Sequence, residues 1–250
     1  QYLKFNFIMK NNKENFLDSI GKIYDITNKD MEFDYYYRHY HFEEISNNLN
    51  GSEILELGCS TGLSTKLLND LDLNITVVEG SEFNIQQTKN NFELNNKVNF
   101  HLSLWEDFST DKKFSDILLV DSLQFINKKE ELLNKYKINL AKNGLFHIVI
   151  PNSNSLHRHI GLEMGIINSL TDQSDIDKTV ASYQDLNWEL SRNLFKNVGL
   201  EVLKETPILL KPFDNKTMLS FSKQQIQAYF KVAHKFKDIC SHMYFVLRSV

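Results

Sequence analysis

Two cysteines, Cys59 and Cys240, are all the thiol in 250 residues. Two cannot make a disulfide framework and match no zinc-ligand spacing, so neither a disulfide-stapled secreted scaffold nor a metal centre is expected. A reducing cytoplasm is the plain reading. Long apolar runs are also missing: no stretch approaches the roughly eighteen residues that a bilayer crossing needs, so no membrane association is expected. The opening "YLKFNFIMK" lacks both the sustained apolar stretch and the small-residue cleavage site of a secretory leader. The chain opens on Gln1, and Met9 is the expected start. Charge of one sign is not concentrated anywhere either. The net charge is −4, and without clustered Lys and Arg to neutralise phosphates no nucleic-acid partner is expected. Oligomeric state is not legible.

What is present is a hydrophobic fraction of 42% and an aromatic fraction of 12%, enough for one α/β domain with material left for insertions. Residues 13–50 read as an amphipathic helical segment carrying the patch "FDYYYRHYHF". Strands are expected at Glu53–Leu57, Ile75–Glu79, Val98–Leu102, Asp116–Val120 and Leu145–Pro151. Helices between them are expected at Gly62–Asp70, Glu82–Asn95 and Lys128–Ala141. Alternation of this length implies a mostly parallel, doubly wound sheet covered on both faces, and "DILLV" and "LFHIVI" are the continuous apolar runs that doubly covered strands require. Beyond Pro151 come a long connection, a helix at 183–198 closed by Gly199, a strand in "LEVLKETPILL", a helical insertion around Ser222–His242 and the closing strand "MYFVLRS". That makes seven strands. The organisation expected is a single domain: a helical cap over 1–50, a ligand-binding core over 51–152, and insertions at 153–182 and 212–242.

The first strand breaks into "GCSTG", where Gly58 and Gly62 bracket small residues. Glycine permits positive φ and lets a ligand approach without meeting a Cβ, and the following helix offers free N–H groups. About twenty residues on, Glu79 ends the second strand. A turn and an acid at that spacing suit a nucleoside, the acid taking the ribose hydroxyls. A dinucleotide wants a third glycine, and Leu63 stands in its place, so a nicotinamide-dependent oxidoreductase is the weaker alternative.

The stretch "LELGCSTG" resembles the first motif of class I S-adenosylmethionine-dependent methyltransferases, E/D-x-G-x-G-x-G, with Ser60 at the middle glycine. The resemblance spans about Leu55 to Asn152. It implies a Rossmann-like class I methyltransferase fold, S-adenosylmethionine as cofactor and S-adenosylhomocysteine as product. It also implies roles: Glu56 near the methionine amino group; Gly58, Cys59, Ser60 and Gly62 beneath the methionine moiety; Glu79 and Gly80 at the ribose. In "SLWEDF", Leu104 and Trp105 would flank the adenine, with Glu106 or Asp107 near its exocyclic amine. Asp121 and Ser122 would lie against the methionine and ribose, and Arg38 or His39 would meet the carboxylate.

The acceptor is bounded by absences. Asp121-Ser-Leu-Gln is not the (N/D)-P-P-(Y/F) turn of adenine- and glutamine-methylating enzymes, Pro151-Asn152 is not the Asp-Asn of magnesium-dependent catechol enzymes, and no paired-glutamate loop of the protein-arginine enzymes is seen. A small-molecule acceptor remains, an anionic one among the readings. Ligands of doubly wound folds bind outside the carboxyl ends of the strands, which puts "PNSNSLHRHIG" at the reacting edge. His157 is the candidate base because imidazole titrates near neutrality, and Arg158 could grip an anion bidentately, joined by Lys211. His147, in mid-strand, reads as a satisfied core histidine. The segment after Pro151 is similar to bacterial methyltransferases of surface-polysaccharide and sugar-modification pathways, which implies O-methylation of a sugar, a nucleotide-linked sugar or a phosphorylated metabolite. N-methylation of a small amine and a catalytically idle cofactor-binding scaffold are the other readings.

Overall fold

Seven strands form one sheet: β1 (Glu53–Leu57), β2 (Asn74–Glu79), β3 (Val98–Leu102), β4 (Phe114–Val120), β5 (Leu140–Pro151), β6 (Leu200–Ile208) and β7 (His242–Ser249). Their order is β3-β2-β1-β4-β5-β7-β6, and β7 alone runs antiparallel to both its neighbours. These are features of a computed structural model that describes residues 16–22, 24, 28, 29, 32–173 and 185–250, with only the backbone of residues 35 and 36. The helices are α1 (Glu32–Ser46), α2 (Leu63–Asp70), α3 (Glu82–Asn91), α4 (Lys129–Lys137), α5 (Leu156–Glu163), α6 (Trp188–Asn197), α7 (Asn215–Leu219) and α8 (Lys223–Ala233). The chain starts mid-sheet at β1, works outward to β3, then returns to lay β4 against the other side of β1. That reversal leaves a crevice above the carboxyl ends of β1 and β4, where open α/β sheets take ligands.

The sheet is covered on both faces, which explains its apolar runs. On one face α1 lays Phe33, Tyr37 and Ile45 over Ile54, Val77, Leu118 and Tyr244. On the other, Leu132 and Tyr136 of α4 and Phe195 of α6 meet Leu55, Ile117, Phe146 and Phe245. Each such side chain, once fully buried, contributes about 1.5–3 kcal/mol.

Several boundaries differ from the sequence reading for local reasons. Phe92 is extended at φ −135°, so α3 stops at Asn91 rather than Asn95. The helix expected to reach Ala141 ends at Lys137, and β5 begins at Leu140, where Asn143 takes φ +62° and the register against β4 shifts. Ala233 ends α8, so His242 opens β7 instead of closing a helix. The helix expected from 183 is seen from Trp188, and residues 13–15, 183 and 184 lie outside the described residues.

His147 is a buried, satisfied histidine. Its Nδ1 lies 2.8 Å from the Tyr244 hydroxyl and its Nε2 2.8 Å from Asp116 Oδ1. Asp116 also accepts from the backbone N–H groups of Asn50 and Gly51 at 2.8 and 3.0 Å. One imidazole thus joins β4, β5, β7 and the entry to β1. Leucine at position 147 leaves two buried polar partners short of a bond, so His147→Leu is expected to cost about 2–3 kcal/mol, read from the urea-denaturation midpoint.

Candidate active site

The turn after β1 is shaped by left-handed backbone: Gly58 at φ +88°, Ser60 at +47° and Gly62 at +82°. A Cβ on Gly58 would lie 2.9 Å from Cζ2 of Trp105, and one on Gly62 would lie 2.5 Å from the Thr88 methyl. The first glycine therefore admits an indole and the second lets α2 approach α3. Ser60 bears a side chain where one is disfavoured, a strain of about 1–2 kcal/mol and the kind that gathers at functional sites.

Glu79 holds this turn in place. Its Oε2 accepts the N–H groups of Cys59 at 3.0 Å and Ser60 at 3.3 Å, while Oε1 accepts that of Ser81 at 2.9 Å. Burial raises its pKa, and the three N–H groups pull against that rise. Glu56, 2% exposed, accepts from the Thr65 hydroxyl at 2.7 Å. Burial first, with help from the charge of Glu79, pushes Glu56 up to about 8. Burial also raises the Cys59 thiol well above its usual range, which leaves it a packing group whose N–H serves the site.

Trp105, expected beside an adenine, packs its ring edge on Gly58 and donates from Nε1 to the Val78 carbonyl at 3.0 Å. It buttresses the turn. Leu104 is buried and faces Gly80, whereas Glu106 is exposed.

A polar chamber of buried side chains lies beyond the carboxyl end of β4, the strand paired with β1, built from elements remote in sequence. Asp121 leaves β4 at φ +51°, with both carboxylate oxygens buried and without a hydrogen bond. Three nitrogens surround it: Arg38 Nε at 3.9 Å, His41 Nδ1 at 3.9 Å and His242 Nε2 at 3.8 Å. Those distances are too long for direct bonds. Burial moves Asp121 up to about 6 against the pull of Arg38. Neither nitrogen of His41 has a hydrogen bond, nor do Ser122 Oγ, Ser155 Oγ and His157 Nδ1. Buried polar atoms in folded proteins are rarely left so; together they describe a place built for a polar ligand.

The chamber's proton arrangement can be read from its bonds. Ser241 Oγ donates to the Ile208 carbonyl at 3.1 Å, so it can only accept from His242 Nδ1, 3.1 Å away. His242 therefore carries its hydrogen on Nδ1, and its Nε2 accepts from the Tyr37 hydroxyl at 2.9 Å. Burial keeps His41 and His242 well below the normal imidazole range and takes His157 down to about 3, with Lys211 and Arg158 adding to the last effect. All three are neutral at physiological pH. Lys211, lowered by burial, bonds Asn215, which donates to Asp34 at 2.8 Å.

The structure thus gathers Arg38, Asp121, His157 and Lys211, with Ser122 alongside, near the turn. It does not bring in Arg158: that guanidinium donates to the backbone carbonyls of Leu170 and Asp172 and ties down the loop after α5. Tyr37 and His242 were missed, and His41 was given no role. For α1 a signal was there. Asp34, Tyr37, Arg38 and His41 fall at i, i+3, i+4 and i+7, the stripe a surface helix normally fills with apolar residues facing the core.

Sheet order, reversed last strand and glycine turn define a class I methyltransferase fold. Residues 32–205 match the Methyltransf_23 family, a methyltransferase domain, and the chain belongs to that family. Among curated proteins it is similar to the ubiquinone biosynthesis O-methyltransferases of Rickettsia bellii, with 28% identity over 149 residues covering 54% of this chain and 59% of the relative. For that of Rickettsia conorii the identity is 24%, covering 42% and 36%. The chain thus spans about a third to three-fifths of the length of these relatives. Among solved structures it is similar to an S-adenosylmethionine-dependent methyltransferase from Mesorhizobium loti, with TM-score 0.60 and 11% identity over 85% of this chain and 97% of that one. The plantazolicin methyltransferase BpumL in complex with SAH gives TM-score 0.55 and 16% identity over 97% and 100%.

Glu56 generates a test of the electrostatics. Its folded-state pKa of about 8 lies above the model-peptide value of 4.5, so the folded protein keeps a proton that the unfolded chain releases, and stability falls as pH rises from about 4.5 to about 8. Glu56→Gln removes that loss. Its thermal midpoint should gain on the wild type steadily between pH 5 and 8 in a series of melts.

Proposed function

We propose that this chain transfers a methyl group from S-adenosylmethionine to a hydroxyl of a small polar molecule. The observation that carries the reading is the adjacency of a glycine turn anchored to a strand-end acid and a chamber of buried polar atoms lacking partners. The cofactor fits the residues present. Glu79 and Gly80 stand where a ribose would be taken, Glu56 offers a carboxyl to an ammonium, and Arg38 Nε is free of hydrogen bonds and available to a carboxylate. When bound, S-adenosylmethionine supplies an electrophilic methyl on a good leaving group. Gly58, Cys59, Ser60 and Gly62 would shape the floor beneath it, and Asp121 and Ser122 would border it.

The protein's work is then alignment, which supplies several kcal/mol of a displacement barrier. His157 Nδ1, buried and neutral, is available to accept the hydrogen of the acceptor hydroxyl and aim its lone pair. With a pKa near 3 it is a weak base and serves mainly as an orienting acceptor. Arg38 and Lys211 are opposed by Asp34 and Asp121, so the lining supports an uncharged, hydroxyl-rich acceptor over a phosphorylated one. That is in keeping with the sugar-modifying enzymes that the segment after β5 resembles in sequence. The curated relatives are named instead for O-methylation in ubiquinone biosynthesis. Methylation of a sugar or of a catechol in a radiolabelled transfer assay distinguishes the two.

Calorimetry tests the reading directly: S-adenosylhomocysteine should bind and NAD should give no heat. Glu79→Ala should weaken S-adenosylhomocysteine at least tenfold, since the carboxylate both meets the ribose and holds the turn. Affinity for NAD alone, or for neither ligand, contradicts the reading. His157→Ala should lower kcat at least tenfold while S-adenosylhomocysteine affinity stays within twofold. An unchanged rate leaves alignment by the other groups as the whole of the effect.

A further inference from the structure

The helical stretch over residues 16–22 has no part in the reading above, yet it is packed closely on the ligand-binding turn. Asp18 Oδ1 accepts from the Ser81 hydroxyl at 2.5 Å and from the Phe83 N–H at 3.3 Å. Ser81 Oγ in turn accepts the N–H of Asn84 at 3.0 Å, so Asp18 and Ser81 jointly satisfy the start of α3. Gly21 lies so close to α3 that any side chain there would meet Asn84 and Phe83. Leu17 reaches Gly80, the residue after Glu79: a Cβ built on Gly80 would stand 2.6 Å from Leu17 Cδ1 and 3.0 Å from Leu104 Cδ2.

Two leucines from different segments therefore meet over a glycine, directly beyond the acid assigned to the ribose. A base attached to that ribose must leave past Gly80, where the methyls of Leu17 and Leu104 take the space a side chain would fill and present an apolar surface, and a purine has flat faces that gain from apolar contact. We propose that Leu17 is a cofactor-binding residue that closes with Leu104 over the adenine ring, and that Asp18 is the latch holding it there. This inference rests on the methyltransferase reading. It adds that the adenosine site is completed by a segment about sixty residues upstream of the acid. A segment that merely braced α3 would leave the ligand indifferent to Leu17.

The test is calorimetry on the full chain with two probes, S-adenosylhomocysteine and 5′-methylthioadenosine, which shares the nucleoside but lacks the amino-acid end. Leu17→Ala should weaken both by about tenfold, and Asp18→Ala both by about fivefold, with Leu17→Met restoring most of the affinity. Arg38→Ala, at the opposite end, should weaken S-adenosylhomocysteine and spare 5′-methylthioadenosine. Leu17→Ala within twofold of wild type for both probes overturns the inference, and so does a loss confined to S-adenosylhomocysteine. Failure of the wild-type chain to bind either probe overturns the methyltransferase reading along with it, an outcome distinct from tight wild-type binding that ignores Leu17.

Discussion

The carboxylate of Glu79 gathers three backbone N–H groups from two turns, those of Cys59 and Ser60 after β1 and that of Ser81 after β2. Both turns would otherwise expose donors with nothing to fix their geometry. Held by one buried acid, they face each other across the carboxyl ends of adjacent strands, and the crevice between them becomes a shaped surface. The glycines follow from the same constraint. A turn drawn this tightly onto β2 must pass Trp105 at Gly58 and Thr88 at Gly62. Raised pKa values at Glu56 and Glu79 are the electrostatic cost of placing two acids in that crowded spot.

The chamber beside the turn works by the opposite logic. Its groups are held near one another but not quite in contact: three nitrogens stand 3.8–3.9 Å from Asp121. Had Arg38 and His41 closed on the carboxylate they would have formed a self-satisfied network worth a good deal to stability. Left apart, Asp121, Arg38 Nε and His41 each forfeit about 1–3 kcal/mol of satisfied bonding, a loss recoverable when a polar ligand enters, while His242 is already bonded to Tyr37 and Ser241. The remainder of the fold, with apolar layers on both faces of the sheet, supplies the stability that makes such a site tolerable.

Sequence was most informative where the determining interactions are local. Alternating apolar runs and helical periods identified the strands and most helices, since burial on both faces leaves its mark on each strand separately. The turn and Glu79 were legible together because their separation is set by one strand–helix–strand unit. Arg158 shows where that ends. Its residue type and neighbourhood suited an anion grip, but the direction of a guanidinium is decided by whichever carbonyls fold back beside it, here those of Leu170 and Asp172. Trp105 is similar: its place in the chain suited an adenine, and its ring went to Gly58 because glycine left a slot there.

The polar stripe of α1 lies between these cases. Its spacing marked one face of a helix as abnormal, though not what that face would meet. By itself the sequence determined the layered sheet, its seven strands, the nucleoside-type turn and the acid that pairs with it, because each depends on residues within a few dozen positions of one another. Only the tertiary structure decided the polar cluster around Asp121. Tyr37 and His242 are 205 residues apart in the chain, and they meet because β7 inserts backwards between β5 and β6 and delivers its first residue to the strand ends where α1 crosses. No local pattern encodes that meeting; it follows from how the whole sheet closes around its core.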